Sequence, residues 1–248
     1  MRTGVGRIYA ASRPDARLPL EVHGHDPFLS LPGVFTQHRL REGGDALAEA
    51  VRLAGHGAGT LAWVSAYARA EAAVVLEPER PLGAARLALL AAGNALVDAL
   101  GVLGPPEVPL AWRWPGTLLV NGGACGRLRL AAPPGVAAAA VPDWLVVGFE
   151  VVLALPPGPE PGRDPGRTGL EEEGFAGIAA AALTEAWARH LMSGLDRWEA
   201  EGPGRLMADF LARLLDGQDE PGLRRAIDPA TAALLLDRQG VTTRQGLP

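Results

Sequence analysis

The sequence predicts an α+β fold, a mixed β-sheet packed by helices and followed by a short β segment. Three observations predict it. Residues 112–130 (WRWPGTLLVNGGACGRLRL) hold two apolar runs joined by Asn121-Gly122, a hairpin signal because both residues accept positive φ. Apolar runs of strand length stand at 60–65, 72–76 and 143–155. Two longer stretches, 81–100 and 179–201, repeat apolar residues at helical intervals.

A chain of 248 residues, 48% hydrophobic, suits one large domain with a small appendage. The main domain is placed at 1–218 and a small C-terminal β segment at 219–248. Net charge is −5 and the arginines are scattered, so neither nucleic acid nor a membrane surface is an expected partner. A single cysteine, Cys125, excludes an internal disulfide and fits a reducing compartment. The N-terminus lacks a signal pattern, and no apolar run reads as long enough to span a bilayer, which takes about 20 residues. A cytoplasmic protein is expected.

The chain contains no lysine; all 23 basic residues are arginine. A genome rich in Ala, Gly, Pro and Arg codons explains exchanged surface lysines. It does not explain the loss of a catalytic lysine, because a guanidinium is neither a compact point charge nor a titratable amine.

Residues 1–32 are rich in Pro and Arg and read as an extended arm. His23 and His25 within it could flank a metal, but no third ligand follows at a familiar spacing, so loop histidines are expected and no metal site. Residues 45–54 read as a helix ended by the Gly-rich 56–59. The runs at 60–65 and 72–76 read as paired strands, leaving Arg69 in the short connection. Pro81 suits a first helical turn, Gly101 and Gly104 stop that helix, and Pro105-Pro106 forbid its continuation. Pro115 has no N–H, so a strand should not run unbroken through it. Glu150 interrupts the apolar run at 143–155, and strand alternation turns it to the solvent face. Residues 156–168 read as a flexible loop, and Glu171 to Glu173 as the solvated start of a helix. Residues 179–201 and 203–215 read as helices, with His190 on the apolar stripe of the first as a core histidine. Residues 225–240 read as two short strands turning at Asp228-Pro229, with either a remnant packed on the main body or a frayed tail after Thr243 expected.

The stretch at 112–130 resembles the core hairpin of the biotin/lipoate A/B protein ligase family. There a Lys-Trp-Pro-Asn-Asp motif leads through a strand and turn into a Lys-Leu-Ala-Gly-Ile-type return strand. Arg113-Trp114-Pro115 matches the start. Gly116 and Thr117 stand in place of Asn and Asp, and Gly123 in place of the second lysine. Residues 146–151 are similar in outline to the family's Gly-rich strand, and Trp198 to the helices that follow it. What this resembles most is a divergent group of bacterial ligase-like proteins. It implies that family's mixed sheet and a remnant of its SH3-like C-terminal domain at 225–240.

The resemblance also implies a chemistry. Family ligases join biotin or lipoate to the α-phosphate of ATP with magnesium, then transfer the acyl group to a lysine of a carrier protein. Two anions meet in the first step, so a fixed cation must face the developing charge. The family supplies a lysine and a Gly/Arg-rich loop between paired strands. This chain keeps only residues 66–70 for that loop. Arg69, Arg113 and Arg127, with Trp114 and Gly126, are the candidate ligand-binding residues. Three functions follow: a degenerate ligase-like protein binding a carboxylic acid, its carrier or a partner subunit; an active ligase using arginines; or an acyltransferase with Cys125 as catalytic nucleophile. A homodimer paired through an open sheet edge is a further expectation.

Overall fold

The computed structural model describes residues 28–156 and 166–247. His23, His25, most of the N-terminal arm and most of the loop expected at 156–168 lie outside the described residues.

The elements run β1 (Thr36–Arg41), α1 (Ala46–Arg52), β2 (Thr60–Ser65), β3 (Arg69–Leu76), α2 (Leu82–Ala85), α3 (Ala88–Leu103), β4 (Leu110–Arg113), β5 (Thr117–Val120), β6 (Gly123–Ala131) and β7 (Leu145–Val152). The helices α4 (Ala180–Glu201) and α5 (Gly204–Ala212) follow, then β8 (Leu223–Ile227), β9 (Leu234–Arg238) and β10 (Val241–Gln245). Seven strands form one sheet in the order β1-β2-β3-β7-β6-β5-β4. Only β1 and β2 pair in parallel, so the sheet is mixed, as expected.

Alternation divides the sheet into two faces. Leu61, Trp63, Ala72, Val74, Val147, Phe149 and Val151 point to one face and build the large core with α3, α4 and α5. There Phe149 meets Trp187 edge-on at 5.0 Å, and the Trp187 indole donates to the Ala92 carbonyl at 3.1 Å. Ala62, Val64, Ala73, Val75 and Val146 point to the other face, where they pack with Ala46 and Ala50 of α1 and with Ala54 just after it. Asp45 caps α1 by accepting from the Ala48 N–H at 2.8 Å.

The hairpin forms as expected. Asn121 and Gly122 have φ of 50° and 86°, the positive pair of a type I′ turn. Pro115 falls between β4 and β5, after a cis Trp114-Pro115 peptide. Gly93 of α3 packs tightly on this hairpin: a Cβ there would stand 2.9 Å from Leu128 Cδ1 and 3.0 Å from Phe210 Cε2.

Several expectations need correction. The strand expected from 72 begins at Arg69, so the loop after β2 is only three residues and Arg69 belongs to β3. The helix expected over 81–100 is two, broken at Arg86 and Leu87, and the second runs through Gly101 to Leu103. Glu171–Glu173 is a single 3-10 turn ended by Gly174 in the left-handed region, and α4 starts later. The stretch Leu82–Leu103 is in fact long and apolar enough to cross a bilayer, with mean hydropathy 1.5, but it is mostly buried in the core. The tail beyond Thr243 is not frayed. It completes β10, giving a small three-stranded antiparallel sheet of β8, β9 and β10. No residue of β10 is buried, so it carries no apolar alternation to announce it.

The small sheet is tied to the main body. The Arg225 guanidinium donates to the Leu214 carbonyl at 2.6 Å. The Trp114 N–H donates to Asp216 Oδ2 at 2.7 Å.

Candidate functional site: a charged row on the α1 face

Strand register sets one row of residues side by side. Arg113 opposes Thr117, Thr117 opposes Arg127, Arg127 opposes Glu150, and Glu150 opposes Glu71. Directly opposed residues of antiparallel strands share a face. The row continues into Val64, which packs under α1, so these charges lie on the α1 face. Arg129 and Arg69 lie two positions away along β6 and β3 and share it.

The charges pair among themselves. Arg127 reaches Glu150 Oε2 with Nε at 2.9 Å and Nη2 at 2.6 Å. Arg129 Nη1 lies 2.7 Å from Glu71 Oε1 and 3.0 Å from Asp45 Oδ1, and Nη2 lies 2.9 Å from Asp45 Oδ2. Arg69 Nη1 lies 2.8 Å from Glu71 Oε2, and its Nη2 donates to the Gly44 carbonyl. Glu71 Oε1 also accepts the Ala46 N–H at 2.8 Å. Three guanidiniums thus meet three carboxylates and tie β3, β6 and β7 to the start of α1.

Burial sets the electrostatics. Glu71 is 1% exposed, and that burial raises its pKa above the ordinary carboxylate value, against the pull of the Ala46 N–H, Arg69 and Arg129. The hydrogen bonds from Arg129 hold Asp45 below its ordinary value. For Arg129, burial works downward, but the Asp45 hydrogen bond and the surrounding carboxylates leave its pKa raised.

The candidate residues fare differently. Arg127 reaches solvent but is held by Glu150. Arg113 is exposed at the end of edge strand β4, with no ion-pair partner among the described residues. Trp114 packs edge-on against Phe210 at 6.3 Å. A Cβ on Gly126 would stand 2.4 Å from the Glu150 carbonyl, so close strand packing accounts for that glycine. Cys125 is 1% exposed, its thiol donates to the Val152 carbonyl, and burial pushes its pKa up to about 12. His190 is half-buried beside a small cavity between α3, α4 and α5, with no hydrogen bond of its own among the described residues. Asp45, Glu71 and Arg129 were not singled out from the sequence. The alternation Arg127-Leu128-Arg129, which puts both arginines on one face, and the lone glutamate in Ala-Glu-Ala-Ala-Val-Val were the signals available.

A cavity of about 480 Å³ lies on the other face of the same sheet. Trp63, Leu153, Leu170, Phe175 and Ala180 wall it, and Arg39 stands at its rim. Among the described residues no group of three or more His, Cys, Asp or Glu is placed to hold a metal ion. Asp45, Glu71 and Glu150 are each engaged by an arginine.

A family model described as the biotin/lipoate A/B protein ligase family matches residues 31–212. A protein of Paracoccus denitrificans named biotin–[acetyl-CoA-carboxylase] ligase is 32% identical, over 79% of this chain and 85% of its own. The crystal structure of a biotin protein ligase-like protein of unknown function from Silicibacter sp. TM1040 has 31% identity and a TM-score of 0.76, covering 88% of this chain and 97% of that one. The biotin protein ligase of Aquifex aeolicus, solved with biotin and ATP, has 12% identity and a TM-score of 0.61, covering 86% and 96%. At that identity the likeness is one of fold.

Proposed function

The chain belongs to the biotin/lipoate A/B protein ligase family, and from that premise we propose that it is an atypical member. In this reading it binds a carboxylic-acid cofactor or its carrier protein without the usual lysine-dependent adenylation. One observation carries the reading. Arg69, Arg127 and Arg129, the cations inside the charged face, are turned onto Glu71, Glu150 and Asp45 of the chain itself. Joining a carboxylate to a phosphate requires a cation aimed at the charge that develops between them. A guanidinium already held by a carboxylate must first be released, and a buried one costs most to release. Arg127, 63% exposed, is the pair an incoming anion displaces most readily, with Arg113 on the same face two strands away, across Thr117.

A second reading, an active ligase that uses arginines, draws support from the Paracoccus relative, whose name assigns it a ligase activity toward acetyl-CoA carboxylase. A biotinyl or lipoyl carrier protein is the corresponding partner in either reading. ATP and the acid are then substrates, and magnesium enters with the triphosphate.

One experiment separates the two. Purified chain is incubated with ATP, magnesium and biotin, lipoic acid or octanoic acid, and pyrophosphate and acyl-adenylate are measured. The proposed reading expects neither product above background, with binding of acid or carrier retained. Formation of acyl-adenylate, lost on Arg127→Gln, would establish the active ligase instead.

A further inference from the structure

The cavity behind the charged face lies close to the point where the N-terminal arm reaches the body. Leu153, Leu170, Phe175 and Ile178 are among its apolar walls, and its volume is about 480 Å³. Tyr67, which also lines it, is 79% exposed. The described residues begin at Phe28, and 27 residues precede it. The chain enters between β1 and α4. The Gln37 side chain accepts from the Leu29 N–H at 2.7 Å and donates to the Leu29 carbonyl at 3.0 Å. Glu185 of α4 accepts from the Ser30 N–H at 2.6 Å, and Arg189 donates to the Ser30 carbonyl. After Ser30 the chain runs toward Val34 and Phe35, which lie beside Leu191 and Leu195 at the far end of α4. Followed backward from Leu29, it therefore heads for the cavity. Arg39, which lines the cavity, stands two residues beyond Gln37 on β1, about 7 Å. Ala181, in its wall, stands one helical turn before Glu185, about 6 Å.

The sequence of the arm matches the cavity in pattern and charge. Arg17-Leu18-Pro19-Leu20-Glu21-Val22 alternates apolar and other residues. In an extended segment Leu18, Leu20 and Val22 share one face, while Arg17 and Glu21 share the other. Pro19 holds itself and Leu18 extended, so docking costs little further backbone entropy. The rim carries the complementary charges. Arg39 donates to Ser65 Oγ at 2.9 Å and has no carboxylate partner among the described residues. Glu42 and Glu171 also line the cavity, and both are exposed. The six steps from Phe28 back to Val22 span about 20 Å when extended, which exceeds the gap of about one helical turn.

We infer that residues 17–22 of the chain itself dock in this cavity, with Leu18, Leu20 and Val22 against its apolar walls, Glu21 on Arg39 and Arg17 on Glu171. The arm is an internal strap, and any other occupant of the cavity has to displace it. Tethering favours the contact: a short linker gives an effective concentration in roughly the millimolar range, so even a weak contact stays filled. The cavity and the paired arginines lie on opposite faces of the sheet, so the inference does not rest on the ligase reading.

The test is paramagnetic broadening in the full chain. Ile8, Ile178 and Ile227 are its three isoleucines, so an isoleucine-methyl-labelled sample gives three signals, assigned through Ile178→Val and Ile227→Val. A nitroxide is attached through Ala16→Cys; Cys125 is 1% exposed and stays unlabelled. The Ile178 methyl, in the cavity wall, should broaden, and the Ile227 methyl, in β8 of the small sheet, should not. Leu20→Asp in the arm should abolish the broadening. Arg39→Glu and Glu21→Arg should each remove most of it, and the two together should restore it. Equal broadening of Ile178 and Ile227, broadening indifferent to Leu20→Asp, or failure of the charge exchange to restore it overturns the inference. So does broadening of Ile178 when the nitroxide is carried by a second, isotope-free copy, which assigns the cavity to the arm of another chain.

Discussion

Arg129 and Glu71 form a buried ion pair, Nη1 to Oε1 at 2.7 Å, although they stand on strands separated by β7. The guanidinium reaches across that strand, on which Gly148 opposes Arg129 on one side and Ala73 on the other. On the way it takes up Asp45, the N-cap of α1. One arginine therefore fixes the sheet, the start of α1 and the charge of the candidate site.

Loss of Arg129 should be costly, and loss of Arg127 should not. Arg129→Gln leaves Glu71, 1% exposed, with Arg69 as its remaining ionic partner. Removing one member of a buried pair costs about 3 kcal/mol. The Arg127 side chain is 63% exposed, and breaking an exposed pair costs roughly 0–1 kcal/mol. Urea denaturation of both variants checks the contrast. Equal midpoints would mean that the buried network contributes no more than a surface pair.

The pH dependence of stability has a definite sign. Glu71 has a folded pKa raised by burial, so the folded state holds its proton more tightly than the unfolded chain. Between the ordinary carboxylate value and the raised one, stability contributed by Glu71 falls as pH rises. Asp45 is shifted down, so its contribution is present above its ordinary value and is lost as pH falls below it. Unfolding free energies of the chain and of Glu71→Gln across this range should therefore diverge, with the parent losing ground to the variant as pH rises. A constant difference would show that Glu71 titrates alike in both states.

Cys125 should resist alkylation in the folded protein. With its pKa pushed up to about 12, only about one thiol in ten thousand is thiolate at pH 8. Burial blocks what remains. Iodoacetamide should label it in urea and leave it untouched in buffer. Rapid native labelling would revive an acyltransferase role for this residue.

Gly148→Ala should destabilise strongly. The new Cβ would stand 2.4 Å from the Ala72 carbonyl and 2.8 Å from the Ala73 Cβ, and neither is the free end of a flexible side chain. Overpacking of this kind costs roughly 1–3 kcal/mol. Thermal unfolding of the variant should show a clear drop in midpoint, and an unchanged midpoint would show that β3 and β7 yield to the methyl group.

What was legible in the chain was local. Asn121-Gly122 specified its turn because few residues tolerate that backbone. Pro115 marked the break between β4 and β5 because it lacks a donor. The stripe of Leu183, Trp187 and Leu191 announced α4 because period 3.6 has no other use there. The break within 81–100 was not legible: Arg86 and Leu87 are ordinary helix formers, and packing against the C-terminal segment is a tertiary matter. A Cβ on Gly83 of α2 would meet the Ala230 carbonyl at 2.4 Å.

By itself the sequence determined the fold class, the hairpin and the absence of lysine, since each follows from residue identity and spacing along the chain. Tertiary structure alone decided which arginines are engaged. Arg69, Arg127 and Arg129 look alike as letters, and their partners Glu71, Glu150 and Asp45 are up to 84 residues away. Register across three strands and the packing of α1 bring them together. The energy of a charge depends on who stands beside it and how little water reaches it, and neither is written in one dimension.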